Sequence, residues 1–206
     1  MKRLSKIGTA AIVAGSVFAA TPAFAADQIT ILIGYGFGGT YGKYARTMAD
    51  HLRNHLPGKP NIIVQSMPGA GGLKATNYAA KVMPSNGAYI LEPPDTLVIS
   101  QLMRPKRVKY DARKFTWLGR IFGSNNLVAI RRDTGVANLK QAMQKEVITG
   151  STGKGSPTFI VTALVNGLLG TRFKIVTGYK GSARTKLAME QGEVFGTSLA
   201  WASWKN

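Results

Sequence analysis

Two short stretches hold most of the residues that could do chemistry in this chain. The first runs from Gly34 to Tyr41 and places Gly34, Gly36 and Gly39 in G-x-G-x-x-G register, followed by the hydroxyls of Thr40 and Tyr41. The second is Gly150-Ser-Thr-Gly-Lys-Gly-Ser156. Each lies between a strand-forming run and a helical pattern. Backbone N–H groups at a helix N-terminus point outward, and the helix dipole favours an anion there. Glycines let that anion approach the backbone closely. The chemistry on offer is therefore anion binding, and the anion could be a pyrophosphate, a phosphate or a carboxylate.

The pyrophosphate of a dinucleotide needs an acidic residue about 20 residues on, at the end of the second strand, to hold the ribose. That strand ends at Gln65-Ser66, and the nearest acid, Asp50, sits mid-helix. A phosphate loop of the P-loop type needs Gly-Lys-Ser/Thr. Gly155 separates Lys154 from Ser156, so lysine and hydroxyl are out of register. His51 and His55 have the four-residue spacing of metal ligands, but the chain has no third histidine and no cysteine to complete a site. Neither Ser151 nor Ser156 sits in a G-x-S-x-G elbow. Glu92 with Asp95, and Glu190 with Glu193, share a loop or a turn without forming a catalytic constellation. These residues point to a binding protein rather than an enzyme, with no cofactor and no metal. Two such loops facing each other would clamp a molecule with two anionic ends.

The elements that must hold the loops alternate strand and helix, which predicts an α/β fold. Strands are expected at 28–33, 61–65, 88–91, 115–122, 127–131, 147–149, 173–177 and 194–199. Helices are expected at 40–56, 73–82, near 139–145, at 157–169 and at 182–191, with a short one ending near Met103. The helix from Thr40 carries Tyr41, Tyr44, Ala45, Met48, Leu52 and Leu56 at i, i+3/i+4 spacing and stops at Pro57-Gly58. Ser156 is placed to cap the helix that begins at Pro157, and Gly170 to end it. The order strand, glycine loop, helix occurs twice, at 28–56 and at 147–169.

Residues 1–25 have the pattern of a cleaved secretory signal peptide: Lys2, Arg3 and Lys6, then an apolar stretch from Ile7 to Ala20, then Ala23-Phe-Ala25. The expected location is the periplasm, untethered, because no cysteine follows the cleavage site to take a lipid. The remaining 181 residues suit one medium domain or two small lobes. The chain carries 27 Lys and Arg against 9 Asp and Glu, a net +18. Removing the three leader cations leaves +15, a field that attracts anions. The cations cluster only at Arg104-Pro-Lys-Arg-Val-Lys109, too little for a nucleic-acid module, so no nucleic-acid partner is expected.

The motifs together resemble a family. Gly38-Gly39 with Tyr44-Ala-Arg46, Val64-Gln-Ser-Met-Pro-Gly-Ala-Gly-Gly72, Asn86-Gly87, Phe115-Thr-Trp-Leu-Gly119, the 150–156 loop, Gly178-Tyr-Lys-Gly181 and Gln191-Gly-Glu-Val194 are similar in order and spacing to the solute-binding receptors of tripartite tricarboxylate transporters, also called Bug-type receptors. The resemblance spans nearly all of residues 26–206. It implies a two-lobe periplasmic-binding-protein fold of type II, with a first lobe at 26–123 and a second at 124–206 that is incomplete at the C-terminus, since family members are longer. It implies capture of a small organic di- or tricarboxylate for delivery to the membrane components of such a transporter. The alternatives are a ligand sensor outside transport and a non-binding fragment of a receptor. Carried over by position, the ligand-binding residues are Phe37, Gly38, Gly39, Thr40 and Tyr41 in the first loop and Pro93, Asp95 and Thr96 after the third strand. They continue with Ser151, Thr152, Gly153, Lys154, Gly155 and Ser156 in the second loop, then Lys180 and Ser198. The chain departs from the family at Gly42, where an aspartate is usual, and at Ser66, where asparagine is.

Overall fold

The computed structural model describes residues 27–123 and 125–205; the expected leader lies outside them. Two separate sheets organise the chain. The first has the order β2-β1-β3, all parallel, from β1 (Gln28–Ile33), β2 (Asn61–Ser66) and β3 (Tyr89–Glu92). β1 lies in the middle, which explains its unbroken Ile-Thr-Ile-Leu-Ile run: a central parallel strand is covered on both faces. Ile31, Leu32 and Ile33 are fully buried, each contributing roughly 1.5–3 kcal/mol by leaving water. Strand β2 lies at an edge and alternates exposed with half-buried positions. Helix α1 (Thr40–Leu52) packs Ala45, Met48 and Ala49 against Ile31, Ile33, Ile62 and Val64. Helices α2 (Leu73–Lys81) and α3 (Leu97–Met103) complete this side, where Leu73 and Leu97 meet Tyr110, Ala112 and Phe115.

The second sheet has the order β4-β7-β5-β6, from β4 (Asn126–Ile130), β5 (Val147–Ser151), β6 (Phe173–Thr177) and β7 (Gly196–Ala200). Strands β5, β6 and β7 are parallel and β4 runs antiparallel to β7. Helices α4 (Leu139–Gln144), α5 (Pro157–Leu169), α6 (Ser182–Glu190) and α7 (Trp201–Trp204) belong to this side. Its core joins Val136, Ala142, Val147 and Phe173, with Ala188, Met189 and Val194 forming a second cluster.

The repeat seen in the sequence is larger than one strand and one helix. β1-α1-β2-α2-β3 in strand order 2-1-3 is matched by β5-α5-β6-α6-β7 in order 6-5-7. In each half the chain leaves the first strand toward one side and returns to the other. That creates a topological switch point at the C-terminal ends of β1 and β3, and another at the ends of β5 and β7, where open α/β sheets bind ligands.

Two expectations need correction. Residues 115–122 do not form a strand. The segment has strand-like residues, but no strand of the described residues pairs with it, and an extended segment without a ladder is not a sheet element. Trp117 anchors it by donating Nε1–H to the Ala112 carbonyl at 3.2 Å, while Leu118 is left 76% exposed. The second correction is at Ser156. It occupies the N-cap position of α5, but its hydroxyl makes no cap hydrogen bond to the helix backbone. It lies 2.7 Å from Thr158 Oγ1 and bonds back to the Gly153 carbonyl, also at 2.7 Å.

Candidate ligand-binding cleft

A cavity of about 70 Å³ lies between the two sheets. At roughly 10–15 Å³ per water this holds a handful of waters, the scale of a small organic acid and not of a dinucleotide. Both switch points supply its walls: Gly39, Thr40 and Tyr41 after β1, Asp95 after β3, Thr152, Pro157 and Thr158 after β5, and Leu199, Ala200 and Ser203 at the end of β7. Ser182, at the start of α6, also lines it. Three helices, α1, α5 and α6, therefore begin at the cavity wall, and their N-terminal N–H groups and dipoles favour negative charge there.

The two halves touch through small groups. Thr40 Oγ1 and Ser203 Oγ lie 2.5 Å apart, buried, and Thr40 N–H donates to Ser182 Oγ at 3.4 Å. The Thr96 and Ser100 hydroxyls both donate to the Gly155 carbonyl, at 2.6 and 3.1 Å. Gly36 N–H donates to the Lys180 carbonyl at 2.6 Å. Glycine is needed at two of these contacts. Gly71 has φ +71°, and a Cβ there would lie 2.5 Å from the Ser156 nitrogen; Gly153 has φ +146°, and a Cβ there would lie 2.5 Å from the Gly71 nitrogen. Glycines of the G-x-G-x-x-G register are tightly packed as well. A Cβ on Gly34 would strike Gly72 Cα at 2.6 Å, and one on Gly39 would lie 2.9 Å from Ser182 Oγ.

Within the second loop Thr158 is the hub. Its Oγ1 accepts from Thr152 N–H at 3.0 Å and lies 2.9 Å from Ser151 Oγ, besides the Ser156 contact. Gly153 N–H is taken by Ser151 Oγ at 3.2 Å. Three backbone donors of this loop, those of Thr152, Gly153 and Ser156, are thus spent internally, while Thr152 and Thr158 line the cavity.

Of the residues expected at the site, Gly39, Thr40, Tyr41, Asp95 and Thr152 line the cavity together. Phe37, 47% exposed, and Gly38 lie outside the lining. Thr96, Ser151, Gly153, Gly155 and Ser156 are buried and Pro93 half-buried, and none of them is among the lining residues. Lys154 borders a different groove, between α3 and α5. Lys180 contributes its carbonyl to Gly36 while its side chain is exposed. Ser198 is fully buried, its hydroxyl without a partner among the described residues, and the next residues, Leu199 and Ala200, reach the cavity. Sequence reasoning missed Tyr35, Phe122, Asn126, Thr158, Ser182 and Ser203. A signal existed for Ser182: Gly178-Tyr-Lys-Gly181 is a third glycine loop opening a helix.

Among the described residues no Lys or Arg lines the cavity, and Asp95 is the one charged lining residue. Asp95 as a residue is exposed, and the partial desolvation of its carboxyl at the cavity wall raises it above its ordinary value, opposed by its own backbone N–H and that of Thr96. Glu92, at the end of β3, is 7% exposed with Oε2 lacking a partner among the described residues, and burial pushes it up to about 8. Tyr35 and Tyr41 stack with ring centres 4.3 Å apart. Burial holds both phenols protonated, with Asp95 and Glu92 adding to the effect. The Tyr35 hydroxyl donates to the Gly71 carbonyl at 3.0 Å, and Tyr41 Oη accepts from Asp95 N–H at 3.3 Å.

Solved structures share this architecture. MatC from Rhodopseudomonas palustris, with bound malate, superposes with a TM-score of 0.74 at 20% identity, over 84% of this chain and 60% of its own. The periplasmic binding protein BugD gives 0.70 at 16% identity, over 84% and 58%. Rpa4515 from R. palustris, with adipate, gives 0.64 at 20% identity, over 84% and 59%. The fold is that of periplasmic binding proteins. This chain spans about 60% of the length of these binding proteins. No family model matches the chain, and no curated protein does.

Proposed function

We propose that this protein is a periplasmic solute receptor of the tripartite tricarboxylate type that captures a small organic carboxylate between two lobes. The convergence of the α1, α5 and α6 N-termini on one cavity between the sheets carries this reading. The lobes correspond to residues 26–123 and 124–206, and residues 1–25 direct export. Similarity to structures holding malate and adipate supports a carboxylate as the solute. Backbone N–H groups and the hydroxyls of Thr40, Thr152, Thr158, Ser182 and Ser203 receive it, with no salt bridge required. Binding favours the closed arrangement because the carboxylate bridges both halves. The closed receptor then presents its cargo to the membrane components of the transporter.

Calorimetry with succinate, malate, adipate and citrate tests this reading. Micromolar or tighter binding of at least one acid, accompanied by compaction in solution scattering, is the expected result. An absence of heat with all four would refute it.

A further inference from the structure

A groove of about 470 Å³ runs between α3 and α5 and shares no lining residue with the cleft between the sheets. Its size falls in the range of roughly 300–1,000 Å³ typical of small-molecule sites. Met103, Phe159, Ala163, Leu164 and Leu168 make its walls apolar, and Arg104 and Lys154 add two cations. The cations stand where α5 begins: a Cβ on Gly155, just before Ser156 and Pro157, would lie 3.5 Å from Arg104 Nη1. Three observations set this groove apart. Helix α5 buries Thr158 and Thr162 while leaving Leu164 51% and Leu168 78% exposed, the reverse of a helix that merely covers a sheet. Gly167 lies inside the same helix, where glycine is less stable than alanine. Its backbone is not left-handed, and a Cβ there would meet nothing within 4 Å. Neither conformation nor packing requires that glycine, and its missing side chain leaves the groove open. Finally, Arg104 is half-buried, its Nη1 is buried without an acceptor among the described residues, and it belongs to neither ion pair found there. An unpaired buried cation is unfavourable, and an anion at that end of the groove offsets it.

We propose that this groove binds a single-chain amphiphile with an anionic head, a medium-chain fatty acid. The carboxylate sits at Arg104 and Lys154, and the tail lies along α5 toward Leu168. The site is separate from the solute cleft and does not depend on what the cleft takes. From Phe159 to Leu168 the helix advances about 13 Å. An extended hydrocarbon advances about 1.25 Å per carbon, so the groove accommodates a tail of about ten carbons. A second copy of the chain is a poorer occupant, because each copy carries a net +18 and like charges repel. A bilayer surface offers a flat face to what is a concave, elongated groove.

The test is calorimetry of the purified chain with hexanoate, octanoate and decanoate, with octanol as the uncharged control. Binding is expected to tighten roughly two- to fourfold with each added methylene. Octanol is expected to bind at least about tenfold more weakly than octanoate. Gly167→Leu fills the groove where space is open, and should weaken decanoate at least about tenfold without lowering the melting point. Arg104→Met should bring octanoate down to the level of octanol and leave octanol unchanged; should Gly167→Leu prove less stable, this comparison decides alone. No binding by any of the three acids, affinity that ignores chain length, or octanoate binding that Arg104→Met leaves intact overturns the proposal. Binding to phosphatidylglycerol vesicles without binding of the free acids overturns it in favour of a bilayer. A dimer that Gly167→Leu abolishes, again without binding of the acids, overturns it in favour of a second copy.

Discussion

Glu92 offers the sharpest physical test of the structure. Its carboxyl is raised from an ordinary 4.5 to about 8 because the group is buried, and Oε2 has no partner among the described residues. A tenfold change in a proton equilibrium is worth about 1.4 kcal/mol, so ionising Glu92 in the folded chain costs on the order of 5 kcal/mol more than ionising it unfolded. Between pH 4.5 and about 8 the folded state holds a proton that the unfolded state has released. The folded state then binds more protons, and stability falls as pH rises. Nothing is lost below pH 4.5, and the loss is complete above about 8. Against a typical total of roughly 5–15 kcal/mol, this single group can decide whether the chain folds at alkaline pH. Glu92→Gln keeps the protonated shape and removes the titration. Urea denaturation of both proteins from pH 5 to pH 9 should show near-equal stability at pH 5. At pH 9 the variant should be more stable by about 2–5 kcal/mol, the lower figure allowing for water reaching Oε2. Other titrating groups cancel in the difference. Curves that stay parallel within about 0.5 kcal/mol would show that Glu92 is not desolvated, and a variant less stable at every pH would show that the ionised carboxylate has a partner.

Two glycine substitutions test the geometry of the cleft. Gly71→Ala puts a Cβ 2.5 Å from the Ser156 nitrogen at φ +71°, so the two halves should be held apart: scattering should give a larger radius of gyration and any carboxylate should bind at least about tenfold more weakly, while far-ultraviolet dichroism is retained. An unchanged radius and affinity would show that this contact does not limit closure. Gly42→Asp introduces the residue that the sequence resemblance leads one to expect, but a Cβ at Gly42 would lie 2.1 Å from the Phe37 carbonyl oxygen. The expected outcome is a loss of about 2–3 kcal/mol, seen as a melting point lower by roughly 5–10 °C, and a melting point within about 2 °C of the parent would show that the loop yields.

How much of this was legible in the sequence depends on whether the cause was local. The run Ile29 to Ile33 announced a buried strand, Pro157 and Gly170 bracketed α5, and the glycine loops marked the starts of α1 and α5, because each of these signals is written within a few residues. Leu118 and its neighbours carried strand propensity as well. A strand also needs a partner's backbone, which no local signal records. The site was legible in part for the same reason. Loops that begin helices pointed to Thr40, Tyr41 and Thr152. Thr158 sits inside a helix, and Ser203 lies in a four-residue helix, α7, that no periodicity predicts. Their roles come from folding two repeats face to face. Gly42 shows the opposite failure. It read as a departure from a family pattern, whereas its close packing on the Phe37 backbone, which Arg46 Nη1 also contacts at 3.1 Å, requires a glycine in this arrangement.

The charge of the chain and the charge of its cleft point in different directions, and the difference is informative. Residues 26–206 carry 24 cations, and none of them lines the cavity. A distributed positive field raises the local concentration and encounter rate of anions, and it is screened by salt beyond about 10 Å. It cannot tell one anion from another. Discrimination therefore falls to groups that carry no net charge: helix N-termini, five hydroxyls and a pair of stacked tyrosines, with Asp95 the single exception. A lysine in the cleft would bind almost any small acid strongly and release it slowly. Dipoles and hydroxyls give weaker attraction per contact, but each contact has a direction, so shape and donor pattern decide what stays. On the proposed function, a receptor that must release its cargo is better served by that arrangement: the cationic surface would act before binding, and the cleft, with Asp95 its one charged lining residue among those described, during it.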